Sequence, residues 1–191
     1  MSWERSEKLN QLPNLAAFAE QMLVNENAVV KNRKDMPLEL AALLGCGVIT
    51  GYGAVVNTAK VAPGETVVVI GCGGVGMAAI NGAQIAGAGR VIAVDTNPAK
   101  LQLATKLGAT DIVDPANGDV VQQVRELTKG AEHHSSEVLG RKENAEQAIA
   151  MLAPGGTATI VGMIPFGHTT EMRGFAFMHE RQIQRPPMSP S

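Results

Sequence analysis

Aromatic residues are scarce in this chain: one Trp, one Tyr and four Phe make up 3% of its 191 residues. A surface that holds nucleic acid by stacking bases on rings has no material here. Cysteine is scarcer still. Cys46 and Cys72 stand 26 residues apart, without the spacing of a disulfide framework, and such usage points to a reducing, cytoplasmic compartment. Charge of one sign is also missing. Sixteen Lys and Arg face eighteen Asp and Glu, for a net charge of −2, and no basic run is long enough to follow a phosphate backbone. The opening MSWERSEKLNQ is charged and lacks an apolar core, so no secretory leader is expected. No stretch of 18 or more uncharged apolar residues is read, so no membrane span is expected.

What is abundant is small and β-branched. With 21 Gly and 45% hydrophobic residues, the composition suits parallel strands packed tightly under helices in one globular domain with a short extension. Residues 1–13 carry no periodicity. Phe18–Lys31 reads as two short strands around a turn near Asn25–Asn27. DMPLELAALLG starts a helix, with Asp35 as cap and Pro37 in the first turn. From residue 64 strands and helices alternate. ETVVVIG, RVIAVD, TDIVD and TATIVGM read as strands. GVGMAAINGAQIAG, TNPAKLQLATKLG, GDVVQQVRELTKG and RKENAEQAIAMLAPGG read as helices. Such alternation predicts an α/β fold with a parallel sheet covered on both faces. A domain boundary is expected near residues 32–36.

One motif carries chemistry. VVVIGCGGVG holds Gly71-x-Gly73-x-x-Gly76 between a strand and a helix, and the next strand ends at Asp95, 19 residues after Gly76. Gly71 makes the tight turn, Gly73 admits a pyrophosphate to the backbone, and Gly76 lets helix and strand approach. The helix N-terminus offers N–H groups and a positive dipole end to phosphates. Asp95 accepts from the ribose hydroxyls and repels a 2′-phosphate, which favours NAD over NADP. The alternative is a chance glycine turn. Cys72, between the glycines, reads as a buried filler. Lys100 is either a ribose contact or an ordinary solvated helix lysine.

PLELAALLGCGVITGYGAV, VVVIGCGGVG, VIAVDTNPAKLQLATKLGATDIVDP and AIAMLAPGGTATIVGMIP together resemble the zinc-dependent alcohol dehydrogenases of the medium-chain dehydrogenase/reductase superfamily, nearest to the formaldehyde-type branch. The resemblance covers about Phe18 to Gln184. It implies a Rossmann doubly wound sheet holding NAD, following an N-terminal catalytic, GroES-like domain that holds zinc. Residues 1–36 would be a remnant of that domain, and 37–191 the NAD-binding domain. Gly71, Gly73, Gly74, Val75 and Gly76, with Asp95 and Lys100, would hold the cofactor. Thr50 and Val75 would line its nicotinamide side, and Val161 would sit near the carboxamide. Cys46 matches the last of three protein ligands of the family's catalytic zinc. A catalytic zinc needs about three such ligands, and the family's other ligands and its proton relay have no counterpart upstream of Cys46. His133, His134, His168 and His179 are expected to be solvated. The family commonly dimerises through its coenzyme domains, so a homodimer is implied.

Two segments depart from the family's pattern. GAEHHSSE stands where an apolar strand is expected, with Glu132, His133, His134, Ser135 and Ser136 ill suited to burial. RQIQRPPMSPS stands at the last strand, and Pro186 and Pro187 cannot donate to a ladder. Strands 4 and 6 of the order 3-2-1-4-5-6 are therefore expected to be disturbed, the sixth truncated. The expectation is the NAD-binding portion of an alcohol dehydrogenase-like oxidoreductase, inactive as an isolated chain. The alternatives are a noncatalytic NAD-binding module, a subunit completed by a separate zinc-domain chain, or a zinc-free reductase of the quinone type.

Overall fold

The structure is a computed structural model that describes residues 20–130 and 132–186. The chain forms two compact units, Met1–Ala41 and Ala42–Ser191. In the first, the turn expected near Asn25 is present: a 3-10 turn spans Glu26–Ala28, and the Asn25 side chain accepts the N–H of Asn27 at 2.9 Å. The two strands expected to flank it do not form among the described residues (Phe18 and Ala19 lie outside them). Leu23 and Val30 are almost wholly exposed, and a lone two-stranded ribbon with no covered face is marginal in water. Asp35 does not cap the following helix either. It pairs with Arg33 at 2.5 Å, and both side chains are exposed, so the pair contributes little. The carbonyl of Pro37 accepts the N–H groups of Leu40 and Ala41 and starts helix α1, Leu38–Leu43.

In the second unit, π-helical turns at Leu44–Val48 and Ala54–Thr58 flank α2, Ile49–Gly53. By length and composition the helical stretch Leu38–Thr58, with mean hydropathy 1.6, qualifies as a candidate membrane span. The expectation that no segment would qualify is corrected: Thr50, Tyr52 and Asn57 interrupt the apolar run without adding charge. Gly51, Ala54 and Val55 of this stretch are buried, and Val55 belongs to the same apolar cluster as Ala79 and Ile80 of α3, Gly74–Ile85.

Six parallel strands follow in the order β3-β2-β1-β4-β5-β6. They are β1 Thr66–Ile70, β2 Arg90–Val94, β3 Asp111–Val113, β4 His134–Glu137, β5 Thr157–Ile160 and β6 Gln182–Gln184. The helices between them are α3, α4 Pro98–Lys106, α5 Val120–Thr128 and α6 Lys142–Met151. Caps fall where the sequence places them. Asn97 accepts the N–H groups of Ala99 and Lys100, Pro98 opens α4, and Asp119 accepts the N–H of Gln122 at the start of α5.

The β1 run TVVVI is buried at every position because both its faces are covered. Val67 and Val69 join a cluster with Ile80 and Ala83 of α3 and with Leu101 and Ala104 of α4. Val68 and Ile70 join a second cluster with Val120 and Val124 of α5 and with Ala148 and Met151 of α6. Side chains alternate faces with a period of two, so a strand between two helical layers must be apolar throughout. Each such Val or Ile contributes about 1.5–3 kcal/mol on burial.

Both doubtful strands form. β4 is buried at all four positions despite its sequence HSSE. It pairs with β1 on one side and β5 on the other, and this double ladder meets the backbone's demand for partners. Ser135 Oγ donates to the Ala148 carbonyl at 2.7 Å. His134 Nε2 lies 2.8 Å from Glu65 Oε2, so His134 is buried and paired rather than solvated. β6 pairs with β5 from Gln182 to Gln184. Pro186 comes after its last paired residue, so it vacates no ladder position; Pro187 lies outside the described residues. The last strand is present as a short edge strand of three residues.

Candidate functional site

The turn from β1 into α3 is built from residues that tolerate nothing larger than glycine in two places. Gly71 has φ +103°, and a Cβ there would lie 2.7 Å from the Leu139 side chain. A Cβ on Gly76 would collide with the carbonyl of Gly71, so the helix can meet the strand this closely only without one. Gly73 and Gly74 differ: a Cβ on either would meet nothing within 4 Å. They face open space above the loop. Gly73 is also the N-cap of α3 and supplies no side-chain cap. The first N–H groups of a 12-residue helix therefore face that space, where an anionic group is favoured.

Asp95 stands one residue past β2 and holds the loop in place. Its Oδ2 accepts the N–H of Cys72 at 2.8 Å, and its Oδ1 accepts the N–H of Asn97 at 2.9 Å. The N–H of Gly71 donates to the Val94 carbonyl at 2.8 Å. A carboxylate has about four acceptor positions, so Asp95 keeps capacity for hydroxyl donors after both bonds. Cys72 is buried between the glycines, and burial, with the Asp95 charge second, pushes its thiol up to about 12. It is no nucleophile at neutral pH. Lys100, exposed in the first turn of α4, is near enough that its charge opposes that shift.

Gly51, the residue after Thr50, meets Val75. A Cβ on Gly51 would collide with the Val75 carbonyl and lie 2.8 Å from the Ala78 side chain, so α2 crosses α3 at that point. Val161, half-buried just past β5, donates its N–H to the Glu137 carbonyl at 2.8 Å. The sequence reading assigns no role to Glu137. Its Oε1 accepts the N–H groups of Leu139 and Gly140 at 2.8 and 2.7 Å, while its Oε2 is buried without a partner. It shapes the turn after β4, which places Leu139 against Gly71. Glu is not among the residues that mark turns, as Asp and Asn do, so no local signal in the sequence announces it.

Cys46 lies exposed in the turn Leu44–Val48. Among the described residues no group of three His, Cys, Asp or Glu could hold a metal ion, so the donors present do not fit a catalytic zinc. His133 Nδ1 accepts the N–H of Thr66 at 3.1 Å. Together with His134 and Glu65 it marks the amino end of the sheet, away from the glycine loop. His179 meets the Phe175 ring edge-on at 4.7 Å, and His168 is exposed.

A family profile described as zinc-binding dehydrogenase matches residues 74–188. The chain is 41% identical over 170 residues to an S-(hydroxymethyl)glutathione dehydrogenase of Synechocystis sp., a match spanning 87% of this chain and 46% of that one. Benzyl alcohol dehydrogenase from Acinetobacter calcoaceticus superposes with a TM-score of 0.80 at 35% identity, over 82% of this chain and 44% of that one. A zinc-binding dehydrogenase of Sinorhizobium meliloti, solved with NADP bound, superposes with a TM-score of 0.70 at 30% identity, over 73% of this chain and 42% of that one. The chain thus spans less than half the length of each of these relatives.

Proposed function

The chain belongs to the zinc-binding dehydrogenase family, and from that premise we propose that it is the NAD-binding portion of a zinc-type alcohol dehydrogenase-like oxidoreductase. The observation that supports this most is the open cradle over Gly73 and Gly74, with Asp95 bonded to the Cys72 N–H at its rim. A pyrophosphate would accept from the N–H groups at the start of α3. Asp95 would accept from the adenosine ribose hydroxyls, and Lys100 stands near enough to assist. The negative charge of Asp95 would repel a 2′-phosphate, so NAD is favoured over the NADP carried by the Sinorhizobium relative. Thr50, Val75 and Val161 would border the nicotinamide. The bound cofactor would supply hydride transfer at its nicotinamide ring.

By itself the chain turns over no alcohol in this reading, since Cys46 has no companion donors among the described residues. Residues 1–36 are assigned to the catalytic domain's remnant and 37–191 to the cofactor domain. The partner is a dinucleotide, with a second copy of the chain as a further one; nucleic acid and membrane are not partners, and the compartment is the cytoplasm. A second reading, a noncatalytic NAD-binding module or a subunit completed by a separate zinc-holding chain, is favoured by the lone Cys46.

Calorimetric titration with NAD, ADP-ribose and NADP, with zinc measured on the same sample, tests both readings. NAD and ADP-ribose are both expected to bind and NADP more weakly, with well under one zinc per chain. Stoichiometric zinc that disappears in Cys46→Ser, or alcohol-dependent NADH formation, would sink the claim of inactivity. Absence of NAD and ADP-ribose binding would sink the cofactor assignment.

A further inference from the structure

The face of the sheet covered by α5 and α6 carries a second concavity, of about 570 Å³, that shares no residue with the glycine loop, Asp95, Thr50 or Val161. Three acids and three arginines line it: Asp119, Glu146 and Glu171, against Arg125, Arg173 and Arg181. The formal charges cancel, but the pairings do not. Asp119 Oδ1 accepts the N–H of Gln122 at 2.8 Å, as the cap of α5. Glu146 Oε1 accepts the N–H of Glu171 at 2.8 Å and stands 3.6 Å from Lys142 Nζ. Glu171 Oε1 stands 3.2 Å from the same Lys142 Nζ. Each acid is thus already committed elsewhere.

The arginines are not. Among the described residues, none of the three has a carboxylate within ion-pairing distance. Arg125 donates one N–H to the Ala150 carbonyl at 2.7 Å. Arg181 is half-buried, and its Nε is shut away from solvent with no acceptor. Burial, and then the like charge of Arg125, lower its pKa. Two guanidiniums that line one pocket, neither of them ion-paired among the described residues, offer donors that a bidentate oxyanion would satisfy. Val121, Ile149 and Met172 complete the walls and offer apolar surface to the rest of a ligand. The volume lies within the usual range for small-molecule sites.

We infer that this pocket binds a small organic oxyanion, with its carboxylate or phosphate head on Arg125 and Arg181 and its apolar body against Val121, Ile149 and Met172. Arg173 adds a third positive charge at the rim. The site operates independently of the dinucleotide cleft, which lies toward the opposite helical layer.

Phenyl phosphate titrated calorimetrically into the full chain, with and without excess ADP-ribose, tests this. Saturable binding is expected in both conditions. Benzyl alcohol, which lacks the charge, should not bind, and inorganic phosphate, which lacks the ring, should bind several-fold more weakly. Arg181→Gln should weaken phenyl phosphate at least ten-fold, and Arg181→Lys should restore part of that loss. Among the described residues the Arg181 side chain has no hydrogen bond to lose, so its variants report on the ligand rather than on folding; an unchanged thermal midpoint checks this. Arg125→Gln should act in the same direction with a small loss of stability. Absence of saturable binding, unchanged affinity in Arg181→Gln, or full displacement by ADP-ribose would overturn the inference. A failure of ADP-ribose to bind would bear on the cofactor assignment and leave this test intact.

Discussion

The two halves of the sheet satisfy the same backbone pattern with different chemistry. In β1–β3 the buried positions are Val, Ile and Ala almost throughout, and the ladder and the core reinforce each other. In β4 and β5 the ladder is equally complete, but the buried side chains include His134, Ser135, Ser136, Glu137, Thr157 and Thr159, with Glu132 just ahead of them. Several of these polar atoms have no partner among the described residues: both carboxylate oxygens of Glu132, Ser136 Oγ, Glu137 Oε2 and Thr159 Oγ1. A strand can therefore form on backbone hydrogen bonds alone, while its side chains still subtract from stability. The comparison also separates binding from folding. Gly71, Gly73, Gly76 and Asp95 all belong to the first half.

The largest test of this contrast is Glu132. Burial pushes its carboxyl from 4.5 up to about 9, against the nearby N–H groups of His134 and Val68, which lie outside hydrogen-bonding geometry. Between those values the folded chain keeps a proton that the unfolded chain releases. Stability must then fall as pH rises through that window and level off above it. Removing the titration with Glu132→Gln should flatten the profile, a gain on the order of 4 kcal/mol at pH 9 relative to pH 5. Urea unfolding at pH 5, 7 and 9 measures it, and a wild-type profile with no downward slope would refute the buried neutral acid.

Next comes Gly76 in the apolar half. Its Cβ would strike the backbone carbonyl of Gly71, which cannot rotate away as a side chain could. Gly76→Ala should cost roughly 3 kcal/mol and abolish ADP-ribose binding. By contrast, Gly74→Ala, with nothing within 4 Å of its Cβ, should leave stability nearly unchanged. Equal melting temperatures for the two variants would remove the steric argument.

A smaller effect is expected at Asp95. Asp95→Ala should weaken NAD and ADP-ribose alike by about 1–3 kcal/mol, the range for a hydrogen bond to a charged group. It should also narrow the gap to NADP. Unchanged binding of all three nucleotides would reject the ribose assignment.

The smallest is Thr159, whose hydroxyl is buried without a partner. Thr159→Val keeps the shape and removes the unpaired hydroxyl, and should stabilise the fold by about 1 kcal/mol. The same change at Thr110, whose Oγ1 accepts the Val91 N–H at 3.1 Å and gives its one proton to Asp111 Oδ2, 2.6 Å away, or to the Val91 carbonyl, should destabilise it. Matching signs at the two positions would show that the orphaned hydroxyls in the second half carry no penalty.

By itself the sequence determined what depends on near neighbours along the chain. Asn97 followed by Pro98, and Asp119 ahead of Val120, mark helix starts because a cap needs only the next two or three N–H groups. The glycine spacing from Gly71 to Gly76 and the apolar run of β1 were legible for the same reason: turn conformation and double-sided burial leave a local imprint. The polar strand His134–Glu137 and the edge strand Gln182–Gln184 were not, because pairing partners 67 residues away, from Val67 to His134, decide whether such segments extend. Local preference argued against β4, and two neighbouring ladders overrode it. The pairing of His134 with Glu65 and the turn shaped by Glu137 likewise depended on what packs beside them. So did the convergence of Arg125 and Arg181, which stand 56 residues apart in the sequence and share a pocket only because α5, α6 and the approach to β6 meet on one face of the sheet.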